Sequence, residues 1–457
     1  MSISSPGIGS GLDINSLVTQ LVAAEGSATA NRLNVREAEY QGDISAYGGL
    51  KSSLSIFQSA VQGLQDLTDF QVRSGTSSDS DIFTATADET ADVSQYGVEV
   101  IQLAQANKLI TTDGFASAEA VGGGTLTLTQ AADSFDIVVS GTDTLTDVRD
   151  AINAATDNSG LTASIINVDD GLGGTEQKLV FTANDTGLDN AITITAMGDA
   201  GLSRLVNAQL NEPAAALDGQ IKVDAQLISS SNNTFASVID GITITAVGVG
   251  AGEKLTVAED KAAVELKINQ FVANYNGLVS TFNALGSYNA TTDTGGLLLG
   301  DSVLRGIQNS IRQEISSSVS GLSSTFSTLA ELGITTDDTG KLEINSTTLD
   351  EALDSSFDQV GELFAATNGI ANTLDSIIDG YIGSDGIIES RTEGLQDRID
   401  DIGEQRLALN RRLSSIESRL LSQFSAMDAI VSSLQNQSSF LTQQLASLPG
   451  AYNPNSK

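Results

Sequence analysis

Three adjacent carboxylate pairs, Asp169 with Asp170, Asp337 with Asp338, and Asp400 with Asp401, have the residue types and spacing that could do chemistry. One carboxyl of such a pair can hold a proton while its neighbour stays charged, as general acid–base catalysis and glycoside hydrolysis require. The first two pairs sit beside Gly in turn-like strings, where Asp is favoured because its side chain bonds the local backbone. The third falls on the polar side of a helical pattern. No segment has the spaced carboxylates and terminal Glu of a twelve-residue calcium loop. Gly122 to Gly124 and Gly171 to Gly174 are glycine-rich, yet neither run is followed by the Lys-Ser/Thr of a phosphate-binding loop, so both read as hairpin turns. Asn184-Asp185-Thr186 and similar triplets read as chance in a chain rich in Asn, Ser and Thr.

Composition narrows the chemistry further. The 457 residues include no Cys, no His and no Trp. Thiolate nucleophiles, disulfides, Cys/His zinc sites and imidazole-based triads are therefore excluded. Aromatic residues make up 5%, which is little for the platforms of a sugar-binding cleft or the core of a compact enzyme. No cofactor is expected. Lys and Arg number 22 against 58 Asp and Glu, a net charge of −36, so nucleic acid and anionic membrane surfaces are poor partners. No run approaches the roughly 20 apolar residues that span a bilayer, so membrane insertion is not expected. Met1 to Ser16 carries neither Lys nor Arg nor an unbroken apolar run, so no secretory signal peptide is expected. These facts alone lean towards a soluble structural protein of about three domains.

The apolar period changes twice along the chain. Ile14, Leu17, Val18, Leu21 and Val22 form one helical stripe, and Leu50, Leu54, Phe57, Val61 and Leu64 another. Gly42, Gly48 and Gly49 weaken the helical pattern between them. Residues 74–94 are rich in Ser, Thr, Asp and Ala and read as a linker or as edge strands. The period then becomes two, as at Val98 and Val100, Leu126 and Leu128, Ile137 and Val139, and Ile242 and Ile244. That is the pattern of antiparallel sheet. Leu145, Val148 and Ile152 mark a short embedded helix with Thr144 as N-cap. The string ITITA occurs at Ile192 to Ala196 and again at Ile242 to Ala246. A duplicated module would explain it, but so would the ordinary look of a half-buried strand.

Helical spacing returns after Ala258, with Val264, Ile268, Phe271, Tyr275, Leu278, Phe282 and Leu285 stepping by four and three. Further helices are expected near 304–315, 349–364 and 370–381, with a hairpin at Leu332 to Ile344. The strongest pattern lies at the end. With Ile399 at heptad position a, the a and d positions include Leu395, Ile402, Leu409, Leu413, Ile416, Leu420, Met427, Ile430, Leu434, Leu441 and Leu448. Twelve of the sixteen a and d positions are apolar, and such a sustained 3.5 period specifies a coiled-coil face. Gln423, Gln437 and Gln444 take d positions, so self-pairing should weaken there. A stripe of more than 50 residues spans roughly 80 Å, more than a compact domain offers, so part of it should seek a partner. The expected fold class is multidomain α+β. Helical, coiled-coil terminal regions enclose a β-rich antiparallel middle in a nested insertion architecture, and the two distant helical stripes are each other's nearest candidate partner.

The ordered motifs resemble the FliD family, the bacterial flagellar filament-capping proteins, also called flagellar hook-associated protein 2. They are Ile8 to Asp13 with Leu17 and Val18; Ser45 to Tyr47 through Leu50-Lys51-Ser52 and Phe57-Gln58; and Val98 to Leu109. Thr144 to Asn153 resembles an inserted β-module shared with related hook and filament proteins. Phe271 to Phe282, Leu299 to Ser302 with Leu304-Arg305, Leu332 to Ile334 and Gly340 to Leu342 match best. The resemblance implies an oligomeric cap at the distal filament tip, under which exported flagellin folds and inserts. It implies a terminal region of residues 1–45 and 387–457, and a leg of 46–75 and 258–386. It further implies a β-rich domain of 76–113 and 219–257 and an inserted β-rich domain of 114–218.

The partners implied are further copies of the chain, with a pentamer as the reading although four, five or six copies would need the same stripes. Flagellin, hook–filament junction proteins and an export chaperone are implied as well. The location implied is extracellular, at the flagellar tip, after export without a cleaved signal peptide. Ile14, Leu17, Val18 and Leu21, with the heptad residues, would be the assembly interface. Three alternatives stay open: a flagellin or junction protein of the same helix–sheet–helix plan, a secreted adhesin, which could coexist with a cap, and a carboxylate glycosidase.

Overall fold

The computed structural model describes residues 11, 13–158, 160–322 and 325–447. Residues 8–10 and 12 of the expected motif Ile8 to Asp13, and the heptad residue Leu448, lie outside the described residues. The chain divides into two compact units, one of residues 1–65, 267–349 and 362–457, the other of 66–266 and 350–361.

The first unit opens with α1, Ile14–Gln62, whose N-cap Asp13 accepts the Ser16 N–H at 3.0 Å. This helix runs unbroken through Gly42, Gly48 and Gly49 because Tyr47, Leu50, Leu54 and Phe57, each at most 1% exposed, bury its other face.

The second unit follows with β1, Arg73–Ser77, and β2, Phe83–Ala87, so the Ser/Thr-rich stretch forms edge strands and not a linker. Next come β3, Ser94–Gln102; β4, Ala106–Thr111; β5, Gly124–Gln130; β6, Asp133–Val139; α2, Leu145–Ala154; β7, Leu161–Asp169; and β8, Thr175–Thr186. They are followed by β9, Thr193–Gly198; β10, Leu210–Ala214; β11, Gly219–Val223; β12, Gln226–Ser230; β13, Thr234–Ile239; β14, Ile242–Ala246; and β15, Gly250–Glu259.

Two hydrophobic cores organise these strands. The sheet β1-β15-β3-β11-β12 and the sheet β13-β14-β2 share one, built around Phe83, Val100, Ile221, Ile244 and Leu255. The sheet β10-β4-β8-β7, the sheet β6-β5-β9 and α2 share the other, around Phe115, Leu126, Leu128, Phe181 and Ile152. All strand pairs are antiparallel, and Val100 of β3 faces Ile221 of β11, so the second core is an excursion between two neighbouring strands of the first. Thr144 and Asp147 close α2 with a capping box. The two ITITA strings form the edge strand β9 of one sheet and the central strand β14 of another, which favours the ordinary-strand reading over duplication.

Among the described residues four further α-helices precede the last one: α3, Lys261–Gly286; α4, Ser302–Ser316; α5, Ser346–Ala365, broken at Ser356; and α6, Ile370–Ile382. Strands 334–336 and 342–344 form the expected hairpin. Within the first unit, Phe57 of α1 stacks against Phe271 and Tyr275 of α3, and Phe271 against Phe364, with ring centroids 5.6 to 5.8 Å apart. Asp375 of α6 accepts from Gln58 and Gln62 of α1 at 3.0 Å each. Last comes α7, Ile387–Ser447, a single helix of 61 residues.

Candidate assembly surface on the terminal helices

Within the first unit α1 and α7 lie side by side. Glu389 takes Lys51 at 2.8 Å, Arg398 lies over the Tyr40 ring at 5.8 Å, and Arg406 donates to Asn34 at 2.6 Å and pairs with Glu37. Arg412 stands 3.5 Å from Glu25. Numbers rise on one helix as they fall on the other, so the pair is antiparallel. The sequence pattern explains the register: Gly26 leaves room for Leu413, whose Cδ1 would lie 2.6 Å from a Cβ placed there.

A polar cluster fixes the upper end of this pair. Asp301 caps α4 by accepting the Val303 and Leu304 N–H groups at 2.8 and 3.0 Å, and Arg391 of α7 reaches it at 3.6 Å. Burial pushes the Tyr47 phenol up to about 12, and the adjoining Asp301 carboxylate adds to the effect. Burial likewise raises the Asp43 carboxyl, with Arg391 opposing it.

The structure divides the sequence-derived interface residues into three groups. Ile14, Val18, Leu395 and Ile402 are buried, at 1 to 2% exposure, in the intramolecular seam. Ile399, Leu409, Leu413, Ile416 and Leu420 are half-buried along the same seam. Leu17, Leu21, Met427, Ile430, Leu434 and Leu441 are exposed, the last three at about 60%. The heptad face therefore begins as a helical hairpin and continues as an open stripe, because α1 starts at Ile14 while α7 runs on to Ser447. Sequence reasoning missed Ile388, buried at 1% one heptad before Leu395, although the same frame extended upward finds it. It also missed Phe440 and Leu445, both 61% exposed beside the open stripe. Tyr47 and Asp301 fall within two of the family-like motifs, but no sequence signal joined them to Arg391 as a cluster.

The first two carboxylate pairs behave as turn formers, and the third lies on helix α7. Asp170 accepts the Leu172 and Gly174 N–H groups at 2.8 and 2.9 Å, and these bonds hold its carboxyl below the ordinary range. Asp337 accepts the Thr339 hydroxyl and the Lys341 N–H, both at 2.8 Å, with the same result. A general acid needs the opposite shift. Asp400 accepts from Gln396, one turn away on α7, at 3.0 Å. No group of three or more metal-ligating side chains occurs among the described residues, and no described helix is long and apolar enough to cross a membrane.

Fold and surface together define a structural protein of helix–sheet–helix plan that presents a long apolar stripe. The family model for the flagellar hook-associated protein 2 N-terminus matches residues 10–107, and that for the C-terminus matches residues 216–436. A flagellin hook IN motif matches residues 125–185. The A-type flagellar hook-associated protein 2 of Pseudomonas aeruginosa is 34% identical, with 97% of each chain covered. Flagellar hook-associated protein 2 of Escherichia coli K12 is 35% identical, over 97% of this chain and 98% of that one. The crystal structure of the E. coli flagellar cap protein FliD, domains D1 to D3, superposes with a TM-score of 0.63 at 36% identity, covering 77% of this chain and 99% of that chain. The chain belongs to the flagellar hook-associated protein 2 family, the flagellar cap proteins.

Proposed function

We propose that several copies of this chain cap the distal tip of a flagellar filament and contact it through their terminal helices. The observation that carries the reading is the open stripe of Met427, Ile430, Leu434 and Leu441, exposed where α7 outruns α1. In a chain of net charge −36, association of like copies and of flagellin has to come from apolar stripes of this kind. Flagellin would arrive unfolded at the cap and pack its own terminal helices against the stripe as it folds. Gln423, Gln437 and Gln444 lower the affinity of that face, which suits a cap that releases and re-engages. The mechanism needs no covalent step.

Export without a cleaved leader, an export chaperone and contact with hook–filament junction proteins belong to the same proposal, as does adhesion by the exposed tip. A chain without Cys and with 4 Pro threads a channel and refolds outside free of thiol exchange and with few slow isomers. The test is to add purified protein to flagellin monomers and to short filaments. Particles on one filament end, with altered growth, are expected. Particles along the shaft, or none, would overturn the reading.

A further inference from the structure

On one flank of the α1–α7 pair, Leu21, Ile416 and Leu420 floor a groove of about 530 Å³ rimmed by Glu25, Arg412 and Arg419. Its charge stands out against the rest of the molecule. Residues 405–420 hold four Arg and one Glu in a chain of net −36. Glu25 meets Arg412 at 3.5 Å, both largely exposed, and Arg419 has no carboxylate at ion-pair distance among the described residues. The segment above, 389–404, holds six Asp and Glu against two Arg, and below it 420–447 carries the single charge of Asp428. The net positive charge of α7 is thus confined to 405–420, the stretch that borders the groove.

We infer that this groove receives an amphipathic helix from another protein, one whose apolar ridge is flanked by Asp or Glu. An apolar floor takes side chains spaced i, i+3, i+4 and i+7, and an arginine rim selects carboxylates beside them. A second copy standing in register fits badly, because Arg411, Arg412 and Arg419 would then face the same arginines. The inference deepens the reading of the terminal helices as a docking face, and its test needs no filament, so either can fail alone.

The probe is a fluorescein-labelled synthetic peptide of 28 residues with Leu at heptad positions a and d and Glu at e and g, titrated with the full chain and followed by anisotropy. Mutual repulsion of its Glu side chains keeps the free peptide from pairing with itself. Binding to the wild type is expected, weakened at least about tenfold in R412E/R419E, retained in R412K/R419K, and unchanged in the control R149E, whose residue belongs to helix α2 and not to the groove. Circular dichroism melts establish that the variants fold. No binding by the wild type, or equal binding by R412E/R419E, would overturn the proposal. So would binding gained only after removal of residues 2–12, or a protein dimer that R412E/R419E abolishes, since either assigns the groove to the chain itself.

Discussion

Leu395 and Leu434 both occupy the heptad seam of α7, yet the first is 2% exposed and the second 58%. Truncating them separates stability from assembly. Leu395→Ala or Ile402→Ala leaves a cavity between α1 and α7 and should cost about 2–5 kcal/mol, read from denaturant unfolding of the isolated chain. Leu434→Ala should change that unfolding by no more than about 0.5 kcal/mol, because its side chain already meets water. Equal losses at Leu395 and Leu434 would show that the lower stripe is covered within the chain. The heptad frame named both residues from spacing alone. Spacing could not say which has a partner, because that depends on where α1 begins. The meeting of Asp301, Arg391 and Tyr47 was not legible either: they lie far apart in sequence, and no local period joins an N-cap, an arginine and a tyrosine.

Among the elements, helices α1 and α7 were the most readable, since a long apolar period outweighs local propensity. Gly42, Gly48 and Gly49 of α1 each cost about 1 kcal/mol relative to Ala, and burial of Tyr47, Leu50 and Leu54 overrides them. The middle strands were readable as strands from their period, whereas a nested division of them came only with the family resemblance, because pairings such as Val100 with Ile221 join residues separated by an inserted core. At the lower end of α7, substituting Leu for Gln423, Gln437 and Gln444 dries the seam. The triple variant should associate more tightly and slow filament elongation; unchanged growth would remove the argument for a deliberately weak face.

Short polar caps give the β-rich unit its acid response. Backbone bonding to Thr144 holds the Asp147 carboxyl below its ordinary 3.8, and backbone bonding to Ala116 holds Glu119 below 4.5. A depressed carboxylate stabilises the fold fully above its unfolded value and loses that contribution as pH falls through the folded value. Asp147→Asn should therefore flatten the fall in melting temperature below about pH 4 and leave the sign of the trend unchanged. An identical acid profile in the variant would contradict the capping role.

At the scale of the whole molecule, charge and apolar surface are segregated. The unit of residues 66–266 and 350–361 holds eight Lys and Arg against 34 Asp and Glu, a net of −26. Copies that bring such units together repel one another, and salt screens that repulsion over a Debye length of about 8 Å at physiological ionic strength. Self-association measured by analytical ultracentrifugation should rise with salt; a fall would mean that ion pairs, not apolar contacts, join the copies. Deleting residues 387–457 strips α1 of its seam but touches neither β-rich core. Circular dichroism of that variant should keep its strand signal while filament attachment disappears.

The division of α7 into a stabilising upper half and a working lower half is tested most directly by filament-end occupancy of L434S/L441S. Gold-labelled wild type and variant would be counted on filament ends by electron microscopy, beside their melting curves. Wild-type melting with occupancy lost from the ends is expected. Full occupancy by the variant would contradict it.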